Sequence, residues 1–265
     1  MKKNKIAIIG CGNLGLSIVK GLLEEKDFPV KNIIVTKRNT SGLGFLKDQG
    51  IEVTSDNAKA VEQSDIILIA VKPYDLSAVL EEIKDKIVPG KHILISVATG
   101  ITIQEIKKIL KAKIPIFRGM PNTAADVKES ITCICYEDAS QNDIEIVKYF
   151  FDMVGTTITI KEQLMEAATV IGACGIAFVL RFMRAMVQGG IQIGFDSQTA
   201  STIVNHTVKG AAQLLIERKQ HAEFEIDKVT TPKGCTIVGL NEMEHNGFSS
   251  SLIKGIVSSY AKIEK

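Results

Sequence analysis

Gly10-Cys11-Gly12-Asn13-Leu14-Gly15 directly follows an apolar run at residues 5–9 and opens an amphipathic stretch. The spacing is G-x-G-x-x-G at a strand-to-helix turn. There the first glycine permits the tight turn, the second lets a pyrophosphate approach the backbone, and the third lets helix and strand pack closely. The helix start behind them offers unpaired N–H groups to the phosphates. One strand later, a reader of NAD would end in Asp or Glu to hold the ribose hydroxyls. Thr36-Lys37-Arg38-Asn39 stands there instead. A hydroxyl and two cations suit the 2′-phosphate of NADP, so NADPH is the expected cofactor, with NADH a possible second.

Other chemistries find little support. His92, His206, His221 and His245 are scattered, with no Ser-His-Asp or Cys-His spacing. Cys133 and Cys135 alternate onto one face of an apolar, strand-like run, and no second Cys pair or nearby His completes a zinc set, so no metal is expected. Lys72 reads as a cation for cofactor or substrate anions, with a catalytic role as the alternative.

These residues need a frame. Apolar runs at residues 5–9, 32–36, 52–54, 65–71, 91–97 and 114–118 alternate with helical patterns at 13–25, 40–49, 76–87 and 103–110. Continuous Ile/Val/Leu strands between amphipathic helices predict a parallel sheet covered on both faces. Strands near 131–136 and 156–160, with a helix between them, complete this half. Beyond residue 161 the strand signals stop. Long apolar helices are predicted at 162–188 and 197–218, then shorter ones around 224–228, 236–246 and 249–262. The chain is thus read as α/β, a Rossmann-type mostly parallel sheet followed by an all-α C-terminal dimerisation domain. Residues 1–160 form the dinucleotide-binding domain and 161–265 the helical substrate and dimerisation domain. The second part is too apolar for a solvated arm, which predicts a homodimer or a larger assembly of dimers.

The whole-chain balance agrees. Of 265 residues, 45% are hydrophobic and 23% charged, and 32 basic residues against 30 acidic ones leave a net charge of +2 without a basic stripe. Neither nucleic acid nor a membrane surface is an expected partner. The start, Met1-Lys2-Lys3-Asn4-Lys5, leads into too few apolar residues for a signal peptide, and the apolar stretches Ile66–Val71 and Ile93–Val97 have strand length, not spanning length. A cytoplasmic location with reduced cysteines is therefore expected.

Three more segments fall at strand ends: Val71-Lys72-Pro73, Ser96-Val97-Ala98-Thr99-Gly100 and Arg118-Gly119-Met120-Pro121-Asn122-Thr123. With the glycine loop, they resemble the pyrroline-5-carboxylate reductase family, which shows G-x-G-N-M-G/A, V-K-P, S-x-A-A-G and R-x-M-P-N-T-P-A in this order. The resemblance continues at Gly172–Phe178, at Thr207-Val208-Lys209-Gly210-Ala211-Ala212 and at Val229–Thr236. It implies reduction of the C=N bond of a cyclic imino acid, 1-pyrroline-5-carboxylate, to L-proline. It further implies that Gly10, Gly12, Asn13, Leu14 and Gly15 hold the pyrophosphate, with Thr36, Lys37 and Arg38 by the adenosine ribose. Val71, Lys72, Pro73, Ala98, Met120, Pro121 and Asn122 would line the nicotinamide side. Thr207 would donate to the imine nitrogen, and Lys233, Gly234, Cys235 and Thr236 would receive the substrate carboxylate.

The chain departs from the family pattern at several points. Lys233 replaces a loop glycine, Cys235 a threonine and Ala124 a proline, and the G-S-G-P segment is altered around Ala173-Cys174-Gly175-Ile176. A reductase of another cyclic imine, or a non-catalytic nucleotide-binding paralogue, are the alternatives. The β-hydroxyacid dehydrogenases share the domain plan but need a helical Lys with Asn four residues later. Residues 165–186 contain Arg181 and Arg184 and neither of those two types.

Overall fold

The computed structural model describes residues 4–25 and 28–263. Residues 1–3, which carry part of the argument about a leader, and 264–265, at the end of the expected second domain, lie outside the described residues.

The strands are β1 (Ile6–Ile9), β2 (Ile33–Thr36), β3 (Glu52–Thr54), β4 (Ile66–Ile69), β5 (Ile93–Ser96), β6 (Ile116–Met120), β7 (Ser130–Glu137) and β8 (Gly155–Thr159). They form one sheet in the order β3-β2-β1-β4-β5-β6-β7-β8. Only the β6–β7 pair is antiparallel. Every residue of β1, β2, β4 and β5 is buried, because helices cover both faces. Side chains alternate between the two layers. Ile66, Leu68, Ile93 and Ile95 join the core on one face, and Ile67, Ile69 and Leu94 the core on the other.

The first layer is closed by α1 (Asn13–Leu23) and, late in the unit, by α6 (Gln141–Asp152). The second is closed by α4 (Pro73–Ile83) and α5 (Ile103–Leu110). In α5 the predicted bounds and the observed ones coincide, because Thr102 and Glu105 make a reciprocal capping box. The helix expected over 40–49 is a single 3₁₀ turn, Ser41–Leu43, followed by the short α2 (Gly44–Asp48). A helix not read from the sequence, α3 (Asn57–Glu62), is started by Asp56, whose carboxylate accepts from Lys59 N–H at 2.9 Å.

The chain divides into two compact units, the second being Gly175–Lys262. The single long helix predicted over 162–188 is present as one helical run, Glu162–Gln192, that changes type along its length. It begins as a 3₁₀ turn (Glu162–Leu164), continues as α7 (Met165–Ala168), widens into a π-helical segment (Thr169–Cys174) and becomes α8 (Gly175–Gln192). Its first part belongs to the sheet unit for a physical reason. Met165, Thr169 and Val170 are buried, and Glu162 and Glu166 pair with Arg118 of β6 at 3.2 and 2.9 Å.

The second unit holds α8, α9 (Ser197–Arg218), α10 (Ala222–Lys228), α11 (Cys235–His245) and α12 (Phe248–Ile263). Asp196 starts α9 by accepting from the N–H groups of Gln198 and Thr199, both at 3.0 Å. Among the described residues of this unit, Ala200 and Val204 are the only buried apolar side chains. Leu180, Ile193, Ile216, Val238, Ile253 and Val257 all stand exposed. The run Glu162–Gln192, expected as a long apolar helix, is also long and apolar enough to cross a membrane by length and composition.

Candidate functional site

The strand order reverses between β1 and β4, and in an open α/β sheet ligands bind outside the carboxyl ends of the strands at that point. A cleft of about 820 Å³ lies there, within the sheet unit. Its floor is made by strand ends and the turns after them: Gly10 after β1, Thr36 closing β2, Ala70 after β4 and Val97 after β5.

The glycine loop has the geometry its spacing requires. Gly10 sits at φ +96°, and an added Cβ would meet Val71 Cγ1 at 2.7 Å and Ala70 O at 2.8 Å. A Cβ on Gly15 would collide with the Gly10 carbonyl, so this contact sets how closely α1 approaches β1. A Cβ on Gly12 would meet nothing within 4 Å, and Gly12 lines the cleft together with Asn13 and Leu14. No side chain caps α1, so its first N–H groups are available to an anion. A bare helix start and a backbone with room beside it fit the pyrophosphate of a dinucleotide. Cys11 inside this loop is 1% exposed; burial pushes its thiol up, against the pull of the Lys37 ammonium.

At the other wall, Thr36, Lys37 and Arg38 line the cleft as expected from β2. Residues not singled out from the sequence join them: Asn57 of α3, and Asp75 and Glu82 of α4. The Thr36 hydroxyl donates to Asn57 Oδ1 at 2.6 Å, and Asn57 Nδ2 donates to Glu82 Oε2 at 2.9 Å. Arg38 Nη2 donates to Asp75 Oδ2 at 3.0 Å. These contacts join residues 21 to 37 positions apart, so no local spacing announces them.

Val71, Lys72, Pro73 and Ala98 line the cleft, with Thr99 and Thr123 beside them. Met120, Pro121 and Asn122 follow at the end of β6, outside the lining of this cleft. Met120 and Asn122 are 4% exposed, and the Asn122 side chain is already engaged. Its Nδ2 donates to Gly172 O at 3.0 Å, and its Oδ1 accepts from Ala124 N–H at 3.0 Å. Asn122 thereby ties the strand end to the π-helical segment.

The remaining expected residues lie in the helical unit. Thr207 is exposed on α9, and its hydroxyl donates to Ile203 O at 2.9 Å. Lys233 holds φ +61°, the left-handed conformation that a glycine adopts more easily. It precedes Gly234, the start of α11, whose first residues Cys235 and Thr236 have no side-chain cap.

Over 282 aligned residues the chain is 43% identical to pyrroline-5-carboxylate reductase 2 of Dictyostelium discoideum, covering 100% of this chain and 94% of that one. The chain belongs to the pyrroline-5-carboxylate reductase family. Identity to pyrroline-5-carboxylate reductase 1 of the same organism is 45% over 98% of this chain, which spans about half (49%) of that relative's length. The family model for pyrroline-5-carboxylate reductase dimerisation matches residues 162–265. That for NADP oxidoreductase, coenzyme F420-dependent, matches residues 5–100. Among solved structures, pyrroline carboxylate reductase of Plasmodium falciparum with NADP bound superposes with a TM-score of 0.90. Identity to it is 25%, covering 99% of this chain and 98% of that one. The reductase family thus accounts for both units, and the exposed apolar helices of the second fall wholly inside its dimerisation segment.

Proposed function

We propose that this chain reduces the C=N bond of 1-pyrroline-5-carboxylate to L-proline with NADPH, working in the cytoplasm as a homodimer or an assembly of dimers. The observation that carries the reading is whole-chain identity to a reductase of nearly equal length. The glycine-loop cleft, with Lys37 and Arg38 on its wall, supports the choice of cofactor. All five cysteines are free, in keeping with a reducing compartment.

Reduction of a cyclic imine needs a hydride on carbon and a proton on nitrogen. NADPH, when bound in the cleft, supplies the hydride. The chain's own residues place the partners and keep water out. Gly10, Gly12, Asn13, Leu14 and Gly15 hold the pyrophosphate, Thr36 and Arg38 the ribose end, and Val71, Lys72, Pro73 and Ala98 the wall beside the ring. Lys233 to Thr236 receive the substrate carboxylate on N–H groups at the start of α11, with the Lys233 ammonium adding attraction. Thr207 meets the imine nitrogen through its hydroxyl, which suits either protonation state of the ring. With its O–H donated to Ile203, its oxygen is free to accept from the N–H of a protonated imine. No metal or covalent nucleophile is required by such a step.

The test is oxidation of NADPH by the purified protein with 1-pyrroline-5-carboxylate, against a panel of cyclic imines that includes 1-pyrroline. The carboxylate should be by far the best substrate. Equal efficiency for the uncharged ring would remove the role of Lys233 to Thr236, and no turnover of any imine would favour a nucleotide-binding paralogue.

A further inference from the structure

We propose that Asp75 sets the balance between NADPH and NADH in this chain, by engaging the Arg38 guanidinium and placing a carboxylate where a 2′-phosphate would lie. The inference rests on the reading of the cleft as a dinucleotide site and deepens it.

β2 ends without the acid that an NAD-binding strand offers, and its sequence neighbours are two cations. The structure restores acids to the same wall from another element. Asp75 and Glu82, both on α4, line the cleft with Lys37, Arg38 and Lys72, two carboxylates against three cations. A phosphate monoester carries about −1.5 to −2 charges near neutral pH and gains less from cations that carboxylates already offset in large part. A ribose 2′-hydroxyl, in contrast, can donate to a carboxylate and needs no cation.

Of the two acids, Asp75 is the one that touches the reader of the phosphate. Arg38 Nη2 lies 3.0 Å from Asp75 Oδ2. The two partners are unequally held. The Arg38 side chain is 89% exposed and that of Asp75 only 27%, so the carboxylate is the fixed end and the guanidinium comes to it. Asp75 is fixed by its place in the first turn of α4, where its own N–H donates to Lys72 O at 2.9 Å. Pro73 at the head of this helix sets the backbone that precedes it. Glu82 is held differently, through Asn57 and Thr36, and has no bond to these cations. A 2′-phosphate must therefore draw Arg38 off Asp75, or share it, and meets the Asp75 carboxylate at short range in either case.

Equilibrium binding of NADP⁺ and NAD⁺, without imine, tests this on the whole chain. The proteins compared are the wild type, Asp75→Asn, Arg38→Ala and the double variant, all in low salt. Asp75→Asn should tighten NADP⁺ by about threefold to fivefold, the upper range for an exposed charge pair, and should not tighten NAD⁺. In the Arg38→Ala background the same substitution should gain less, because the pair is already gone. Asp75→Ser, which keeps a polar first-turn residue, should move NADP⁺ in the same direction and guards against a variant that fails to fold. An unchanged NADP⁺ to NAD⁺ ratio in Asp75→Asn, or weaker NADP⁺ binding, would overturn the proposal. So would an equal gain without Arg38, which would indicate repulsion alone. Wild-type protein that binds neither dinucleotide would sink the reading of the cleft itself, a result distinct from a ratio indifferent to Asp75.

Discussion

The proposed role of Thr207 turns on the one hydrogen bond its hydroxyl makes within α9. With its O–H given to Ile203, the side chain offers an acceptor, and the imine that suits it carries its proton on arrival. Thr207→Val removes that acceptor and keeps the shape. Turnover should fall by about 10²-fold or less, the scale for one oriented polar group in a catalytic site, while NADP⁺ binding is retained. Thr207→Ser should restore most of the rate. Wild-type kinetics in a folded Thr207→Val protein would end this assignment. His92 offers a second test at the same scale, far from any chemistry. It is 1% exposed, and its Nδ1 accepts from Val88 N–H at 3.0 Å. Burial, aided by the Lys91 ammonium, lowers its pKa from the ordinary 6.5, against the weaker pull of Asp65 and nearby backbone carbonyls. The unfolded chain takes up the proton first, so stability is complete above about pH 6.5 and declines as pH falls below it. Thermal melts between about pH 7.5 and about pH 5 should show this decline, and His92→Asn, which keeps an acceptor but does not titrate, should make it shallower. Identical slopes for both proteins would clear His92 of the effect.

At the scale of elements, Arg118 is the residue whose meaning changed most. In the sequence it opens a motif at a strand end, next to residues expected along the cleft. In the fold it is 2% exposed on β6 and holds the first turns of the segment after β8 through Glu162 and Glu166. Glu162 Oε1 also accepts from Ile103 N–H at 2.8 Å, which ties the start of α5 to the same cluster. Cys135, its cross-strand neighbour, is pushed up to about 11 by burial first and by Glu162 second, and so stays a thiol. Breaking a buried pair by removing one partner costs about 3–5 kcal/mol, and the partial exposure of both glutamates puts Arg118→Met at about 3 kcal/mol or below. Urea unfolding should show that loss, and Glu162→Gln with Glu166→Gln in the same chain should return much of it. No change in the Arg118→Met midpoint would mean the cluster is idle. The strands and the capped helix α5 could be read in the sequence because burial on two faces and a capping box are local patterns. Where residues 162–174 belong could not. Their apolar pattern is that of the helix that follows, and only a cation 44 positions earlier shows that they pack on the sheet. Asn57, Asp75 and Glu82 escaped for the same reason, as polar residues on ordinary helices that matter through distant partners. Met120, Pro121 and Asn122 were legible as a motif, yet a motif gives no direction for a side chain, and the bonds of the Asn122 amide to Gly172 O and Ala124 N–H had no signal in the spacing.

For the whole molecule, the decisive contrast is between a sheet unit with two filled cores and a helical unit with two buried apolar residues among those described. Helices whose apolar faces lack a neighbour gain little from propensity alone, so the second unit depends on its dimer. Light scattering and activity should therefore move together on dilution, and the melting temperature should rise with protein concentration. A fully active species of 28.8 kDa that persists on dilution would contradict this. The same imbalance bears on how the chain is made. The ribosome delivers the sheet first, and that part can complete its core while the rest is still being synthesised. The helices emerge after the sheet and must wait for another finished copy. A chain without a mate is thus half native and half exposed, open to chaperones and proteases in its helical unit. Surplus chains would be recognised by these helices, and the number of mature enzymes would follow the rate at which copies meet rather than the rate at which they are translated.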